Sequence, residues 1–231
     1  MPIFRLTSKL AFPDPRLASP EGLLAVGGDL SPERLLLAYS LGIFPWYGSG
    51  EPLLWWSPDP RCVIFPEQVH VSRRLDRTLR QGIFRITCNA AFEQVVAACA
   101  ETRERNGEGT WLVPEMQAAY RRLHILGYAH SVEAWQDGEL AGGLYGVILD
   151  RFFFGESMFH RATDASKVIL VKLCRYLAAH RFELLDCQVP NPHLFRMGAT
   201  QLSRAAFLDR LYQNSFRQPG RLPRVLLPAE L

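Results

Sequence analysis

Hydrophobic and polar positions divide the chain into two regimes. The first sixty residues carry short apolar pieces broken by Pro and Gly, such as Phe44-Pro-Trp-Tyr and Trp55-Trp-Ser-Pro-Asp-Pro, with no sustained period. One helix is signposted there: Ser31 is its N-cap, Pro32 takes the first helical position and Gly42 can end it. Residues 1–60 therefore read as a small mixed N-terminal domain and 61–231 as a larger one, with the boundary near Pro58–Arg61. Beyond it, the pattern predicts an amphipathic helix over Ser72–Arg80 closed by Gly82, a strand over Ile83–Cys88, and a helix capped by Asn89 that runs to about Arg103. Asn106–Thr110 reads as a loop, and Pro114 opens a helix that ends at Gly127.

The second half changes period. Tyr128–Gln136 reads as a strand, Asp137-Gly138 as a tight hairpin turn, and Glu139–Leu149 as the returning strand, apolar on both faces and therefore central. Arg151–Met158 forms a third strand, Asp164–Ala179 a long helix and Phe182–Gln188 a fourth strand. Short helices over Asn191–Met197 and Ser203–Tyr212 precede a basic tail. Three meandering strands, a helix and a further strand give an α+β order with a mostly antiparallel sheet. Acetyltransferase-type folds share that order, with a cleft beside the central strands.

Alternation places side chains on faces. Phe182, Leu184, Asp186 and Gln188 point one way from the fourth strand, and the apolar members make that the inner face. Phe152, Phe154, Glu156 and Met158 share a face of the third strand. Two acids and an amide thus project from strand ends among aromatic residues. A buried carboxylate without a partner costs several kcal/mol. These groups belong either to a hydrogen-bonded core network, with Ser157, Ser166 or backbone as partners, or to a catalytic cleft.

Composition narrows the setting. Of 231 residues, 48% are hydrophobic and 21% charged, which excludes a disordered or fibrous chain. No apolar run approaches the roughly 18 residues that span a bilayer, and the first residues lack the apolar core and cleavage site of a secretory signal. Five scattered cysteines, without a CxxC pair, fit buried thiols in the cytoplasm and argue against zinc. The net charge is +3, but 23 arginines stand against three lysines. That skew fits either a GC-rich coding genome or guanidinium forks for phosphate. On the predicted helix Arg73, Arg77 and Arg80 share a face, either solvated or a phosphate-contacting stripe. Trp46, Trp55, Trp56 and Trp111 lie in loop-like contexts, as plugs between domains or as platforms for nucleobases. The six histidines show no ligand spacing and read as structural. The connection His160–Lys167 contains no glycine, whereas a coenzyme-A enzyme of this order needs a glycine-rich loop there for the pyrophosphate.

Several segments together resemble one family. They are Gly22–Pro32 (GLLAVGGDLSP), Gly42–Trp46 (GIFPW), Trp55–Arg61 (WWSPDPR), Gly109–Trp111, His130–Trp135, Gly142–Gly146, Gly155–Phe159, Ala165–Lys167 and Asp186–Val189. In this order, from about Ala11 to Leu211, they are similar to the leucyl/phenylalanyl-tRNA–protein transferase family. The resemblance implies transfer of Leu or Phe, and less so Met, from aminoacyl-tRNA to the α-amino group of an N-terminal Arg or Lys, creating a degradation signal. It implies a small N-terminal domain before an acetyltransferase-like (GNAT) domain, with no cofactor, metal, membrane or DNA involved. Carried over by position, Asp186 and Gln188 match the catalytic pair and Glu156 a cleft acid. Trp46 and Trp111 match residues holding the terminal adenosine, with Tyr39 and Tyr120 nearby. Leu144, Phe153 and Leu173 match the side-chain pocket. Arg73, Arg77 and Arg80 become candidates for the tRNA acceptor stem. Within that reading Gln188 positions the amine, Asp186 orients Gln188, and the negative charge of Glu156 and Asp186 favours a cationic acceptor. The competing readings are a CoA-dependent N-acetyltransferase of similar fold, a peptidoglycan-bridge aminoacyltransferase and a non-catalytic tRNA-binding module.

Overall fold

The Pro- and Gly-rich opening folds into a small sheet in the computed structural model, which describes residues 3–105, 112–214 and 226–231. Strands β1 (Phe4–Leu6), β2 (Leu23–Gly27), β3 (Phe44–Pro45) and β4 (Leu54–Trp56) pair in the order β1-β2-β4-β3. At two to five residues each they are too short for alternation to register. Helix α1 (Pro32–Ser40) joins β2 to β3, and the Ser31 hydroxyl accepts the Arg34 N–H as a cap. Gly42 follows at φ 72°. A Cβ there would come within 2.7 Å of Leu208 and 3.0 Å of Phe207, so glycine is demanded by conformation and by space.

The larger sheet is built by β5 (Arg61–Ile64), β6 (Arg85–Cys88), β7 (Ala129–Gln136), β8 (Glu139–Leu149), β9 (Phe152–His160), β10 (Leu184–Gln188) and β11 (Thr200–Leu202). Their order is β11-β5-β10-β9-β8-β7-β6. The hairpin β7–β8 turns at Asp137 and Gly138, both at positive φ, as the Asp-Gly pair requires. β8 is central in the sheet, and β10 lies parallel to β9 after a helical crossover. This is the meander, helix and parallel-strand order expected of an acetyltransferase-like domain, and the fold is α+β. The helices are α2 (Arg73–Gln81), α3 (Phe92–Arg105), α4 (Pro114–Ile125), α5 (Ala165–Ala179), α6 (Pro192–Arg196) and α7 (Arg204–Asn214). Among the described residues no helix is long and apolar enough to cross a membrane.

Both faces of the large sheet are covered. On one, α5 lays Ile169, Leu173 and Leu177 against Leu144, Phe153 and Leu185. On the other, Phe152, Phe154 and Tyr145 join α3 and α4. That second cluster also contains Leu24, Tyr39 and Trp55, so the two sheets share one core. Each fully buried Leu or Phe adds roughly 1.5–3 kcal/mol.

Three expectations change. Asn89 does not cap the helix that follows it. It sits in the left-handed region at φ 61°, and its side chain binds Ser131 N–H and His130. The buried Glu133 carboxylate instead accepts the N–H groups of Ala90 and Ala91 at the start of α3. Met158 does not share a face with Phe152 and Phe154. A bulge sets Gly146 opposite Gly155 and Tyr145 opposite Ser157, so Glu156 is an extra residue and the parity reverses after it. Met158 therefore packs with the α5 cluster. A Cβ at Gly146 would lie 2.3 Å from the Phe154 carbonyl oxygen, which makes glycine obligatory beside the bulge. Finally, a second bulge sets Asp186 opposite Val63 and Gln188 opposite Cys62, leaving Cys187 as the extra residue and Gln188 at φ 56°. Asp186 and Gln188 consequently do not project alike.

Candidate active site

The parallel pairing of β9 with β10 ends at Phe154 and Asp186, although both strands continue. Where they part, a cavity of about 410 Å³ opens between them, within the range of roughly 300–1,000 Å³ usual for small-ligand sites. Leu144, Met158, Leu170, Leu185 and Leu194 make it apolar, and Phe44, Pro45 and Trp46 wall one side. Its polar groups come from the two parting strands and from the N-cap and first turn of α6: Glu156, Ser157, Gln188, Asn191 and His193.

Glu156, pushed out by its bulge, meets two phenols. Tyr39 Oη donates to Oε1 at 2.7 Å and Tyr120 Oη donates to Oε2 at 2.6 Å. The two hydroxyls lie 2.8 Å apart. Three oxygen–oxygen contacts thus close a ring, yet an ionised carboxylate brings no proton, leaving two hydroxyl protons for three contacts. A proton on Glu156 completes the set when the carboxyl donates to one phenol and that phenol donates to the other. Burial is the main cause that pushes the Glu156 carboxyl up to about 7, against the lowering effect of the phenol hydrogen bonds. Burial, followed by the nearby Glu156 charge, also holds both tyrosines well above their usual range. Gln188 Nε2 reaches Glu156 Oε1 at 3.3 Å from the cavity side.

Asp186 lies behind this group. It has no exposed surface and is not part of the cavity wall. Arg61 Nε and Nη2 hold its two oxygens at 2.8 and 2.6 Å, and Oδ1 also accepts the Gln188 backbone N–H at 3.0 Å. The Arg61 guanidinium is itself buried between the rings of Phe44 and Phe207 and donates to the Gly42 carbonyl. The partner of the buried acid is thus an arginine from β5, not Ser157, Ser166 or backbone alone. Asp186 acts on Gln188 through the main chain and fixes its left-handed turn. It makes no hydrogen bond to the Gln188 side chain.

The other expected residues divide. Trp46 stands at the cavity mouth, 41% exposed, against Trp56, whose indole N–H donates to the Trp46 carbonyl. Trp55 is a buried plug bonded to Gly27 O. Trp111 lies outside the described residues. Tyr39 and Tyr120 are fully buried beneath Glu156 and reach no open surface. Leu144 lines the cavity, whereas Phe153 and Leu173 belong to the core behind it. Leu170, one turn before Leu173, lines it instead. Arg73, Arg77 and Arg80 are exposed on α2, with Arg80 paired to Asp76 at 2.7 Å, and none lines the cavity. Sequence reading assigned no role to Arg61 or Leu170. The signal for Arg61 was the need of a buried Asp186 for a cation. For Leu170 it was the helical spacing that brings position 170 beside 173.

Fold and cleft together define an α+β protein with a candidate site between two parting parallel strands. A family profile described as leucyl/phenylalanyl-tRNA protein transferase matches residues 63–212, and the profile of that protein's N-terminal domain matches residues 28–59. The leucyl/phenylalanyl-tRNA–protein transferase of Desulfatibacillum aliphaticivorans is 60% identical over 213 residues, covering 92% of this chain and 91% of that one. That of Syntrophobacter fumaroxidans is 58% identical over 214 residues, covering 93% and 92%. The chain belongs to the leucyl/phenylalanyl-tRNA–protein transferase family. Among solved structures, L-PGS from Bacillus licheniformis aligns with a TM-score of 0.41 at 9% identity, over 73% of this chain and 54% of that one, too slight a likeness to carry an argument.

Proposed function

We propose that the chain transfers Leu or Phe, and less readily Met, from the 3′ end of aminoacyl-tRNA to the α-amino group of a protein that begins with Arg or Lys. The observation that carries this reading is Gln188. Its side chain borders an apolar cavity suited to a Leu or Phe side chain and at the same time bonds Glu156, which is poised to hold a proton.

The chemistry asks little of the enzyme. An aminoacyl ester is already activated, and an α-amino group with a pKa of about 7.7–8.0 has a sizeable neutral fraction near pH 7. The amine attacks the ester carbonyl, the C–N bond forms, the C–O bond to the ribose breaks, and one amine proton ends on the ribose oxygen. Gln188 places the amine against the ester, and its amide is too weak a base for more. Glu156 takes the amine proton and returns it to the leaving oxygen, with Tyr39 and Tyr120 supporting both of its protonation states. Asp186 and Arg61 hold the Gln188 turn in place. Leu144 and Leu170 bound the side-chain pocket, and Trp46 offers a stacking surface for the terminal adenosine.

Two features favour tRNA over coenzyme A as donor. The Asp164 carboxylate stands at the N-terminus of α5, where a pyrophosphate would need to bind, and it is held there by Lys167 and Arg74. The exposed arginines of α2 offer charge to an acceptor stem. For the acceptor, Arg61 neutralises Asp186, so Glu156 in its ionised form is the source of negative charge that favours a cationic first residue. Peptides beginning with Arg, Lys and citrulline test this. Faster transfer to Arg and Lys than to citrulline is expected, and equal rates refute the cation preference. The product carries a new N-terminal Leu or Phe that marks it for degradation in the cytoplasm.

A further inference from the structure

A second groove adjoins the cavity. Its volume is about 520 Å³, and it lies between α2, the start of α5 and α6. His193 lines both spaces, so one imidazole stands between them. Two cations, Lys167 and Arg196, line the groove beside His70 and His193. Burial lowers the His193 pKa, and the nearby positive charges of Lys167, Arg196 and His160 lower it further, so this imidazole is held toward its neutral form. The carboxylate at this end, Asp164, is engaged by Lys167 and Arg74. Amid these charges Phe195 is 45% exposed, an apolar ring presented to solvent on a short helix. Apolar walls and a free aromatic face beside converging cations form the combination that binds single-stranded nucleic acid: bases stack on rings while phosphates follow the charge.

We infer that this groove holds the single-stranded nucleotides that precede the terminal adenosine of the aminoacyl-tRNA, with a phosphate near Arg196 and a base against Phe195. The inference rests on the proposed transferase reading and gives that site its path to the rest of the tRNA. Ser72, the N-cap of α2, and the buried Leu75 also line the groove.

The test uses the full chain and four probes: an amide-linked phenylalanyl-adenosine, the same molecule extended on its 5′ side by one and by two cytidines, and intact Phe-tRNA. For the unaltered protein each added cytidine is expected to tighten binding roughly tenfold. Phe195 and Arg196 are both exposed, so Phe195→Ala and Arg196→Ala leave the core intact. Each is expected to cut the ratio of extended to unextended affinity at least severalfold. Equal affinity for all three analogues overturns the groove, and so does a cytidine effect that survives in both variants. A rise in KM for the acceptor peptide without any change in the affinity ratio gives the groove to the acceptor and overturns the inference as well. Transfer from intact Phe-tRNA keeps the two claims apart: transfer without a cytidine effect overturns the groove alone, and no transfer overturns the function together with it.

Discussion

Arg61 and Asp186 form a two-pronged ion pair, at 2.8 and 2.6 Å, that no solvent reaches. The pair joins β5 to β10 directly behind Gln188, and it determines what a substitution on either side does. Arg61→Ala leaves a carboxylate buried and uncompensated, so unfolding free energy is expected to fall by about 3–5 kcal/mol. Arg61→Met with Asp186→Leu removes both charges and is expected to recover most of that loss in a denaturant titration. Its kcat is expected to stay far below that of the unaltered protein, because the Gln188 turn has lost its anchor. Full activity in the double variant would reduce the pair to scaffolding.

Glu156 governs the pH response. Its carboxyl is raised to about 7 in the folded protein, from an ordinary value near 4.3. A raised acid favours the protonated form in the native state, so its contribution to stability is complete below about 4.3 and is lost as pH rises through about 7. Stability is therefore expected to decline between these values, while transfer rate rises toward and above pH 7 as Glu156 becomes able to accept a proton. Glu156→Gln is expected to flatten both profiles. An unchanged pH–rate curve in that variant would remove Glu156 from proton transfer.

Much of this arrangement was open to sequence reading, and what escaped did so for physical reasons. The strands of eight to eleven residues, β7 to β9, are long apolar runs joined by clear turn residues, and Ser31 and Gly82 stand at the helix ends where their chemistry predicts. Strands β5 and β11 have four and three residues, too few to show a period, and β5 carries Arg61. The ion pair spans 125 residues of sequence, and no local pattern encodes it. The bulges at Glu156 and Cys187 reverse side-chain parity at the very positions that form the site. Strict alternation therefore placed Met158 and Gln188 wrongly while placing Leu184, Asp186 and Phe154 well.

Gln188 is expected to matter to kcat more than to KM. Gln188→Ala should lower kcat about 10²–10³-fold, the scale seen when one positioned hydrogen-bonding group is lost. Gln188→Glu should not restore it, since a second carboxylate would then face Glu156. Full restoration by glutamate, measured under the same conditions, would make position 188 a base and not a positioning amide.

Donor preference follows cavity space. Leu170→Phe adds volume to the wall and is expected to lower kcat/KM for Phe-tRNA at least tenfold more than for Leu-tRNA, in line with about 1–3 kcal/mol per methylene of misfit. Parallel kinetics with both donors check this, and an unchanged ratio would place the aminoacyl side chain elsewhere.

In the proposed reading the α2 arginines supply charge without sequence selectivity. Reversing Arg73, Arg77 and Arg80 to glutamate is expected to raise KM for every tRNA alike and to flatten the dependence of KM on salt. An unaltered salt slope would take α2 out of the interface.

The central claim, transfer through Gln188 and Glu156 at the parting of β9 and β10, meets its most direct test in a single mass measurement. The protein is incubated with Phe-tRNA and a peptide beginning with Arg, beside Gln188→Ala and beside a peptide whose N-terminus is acetylated. The account predicts one added phenylalanyl residue on the free peptide, none on the acetylated one, and almost none with the variant. An unmodified free peptide, or equal modification by Gln188→Ala, would contradict it.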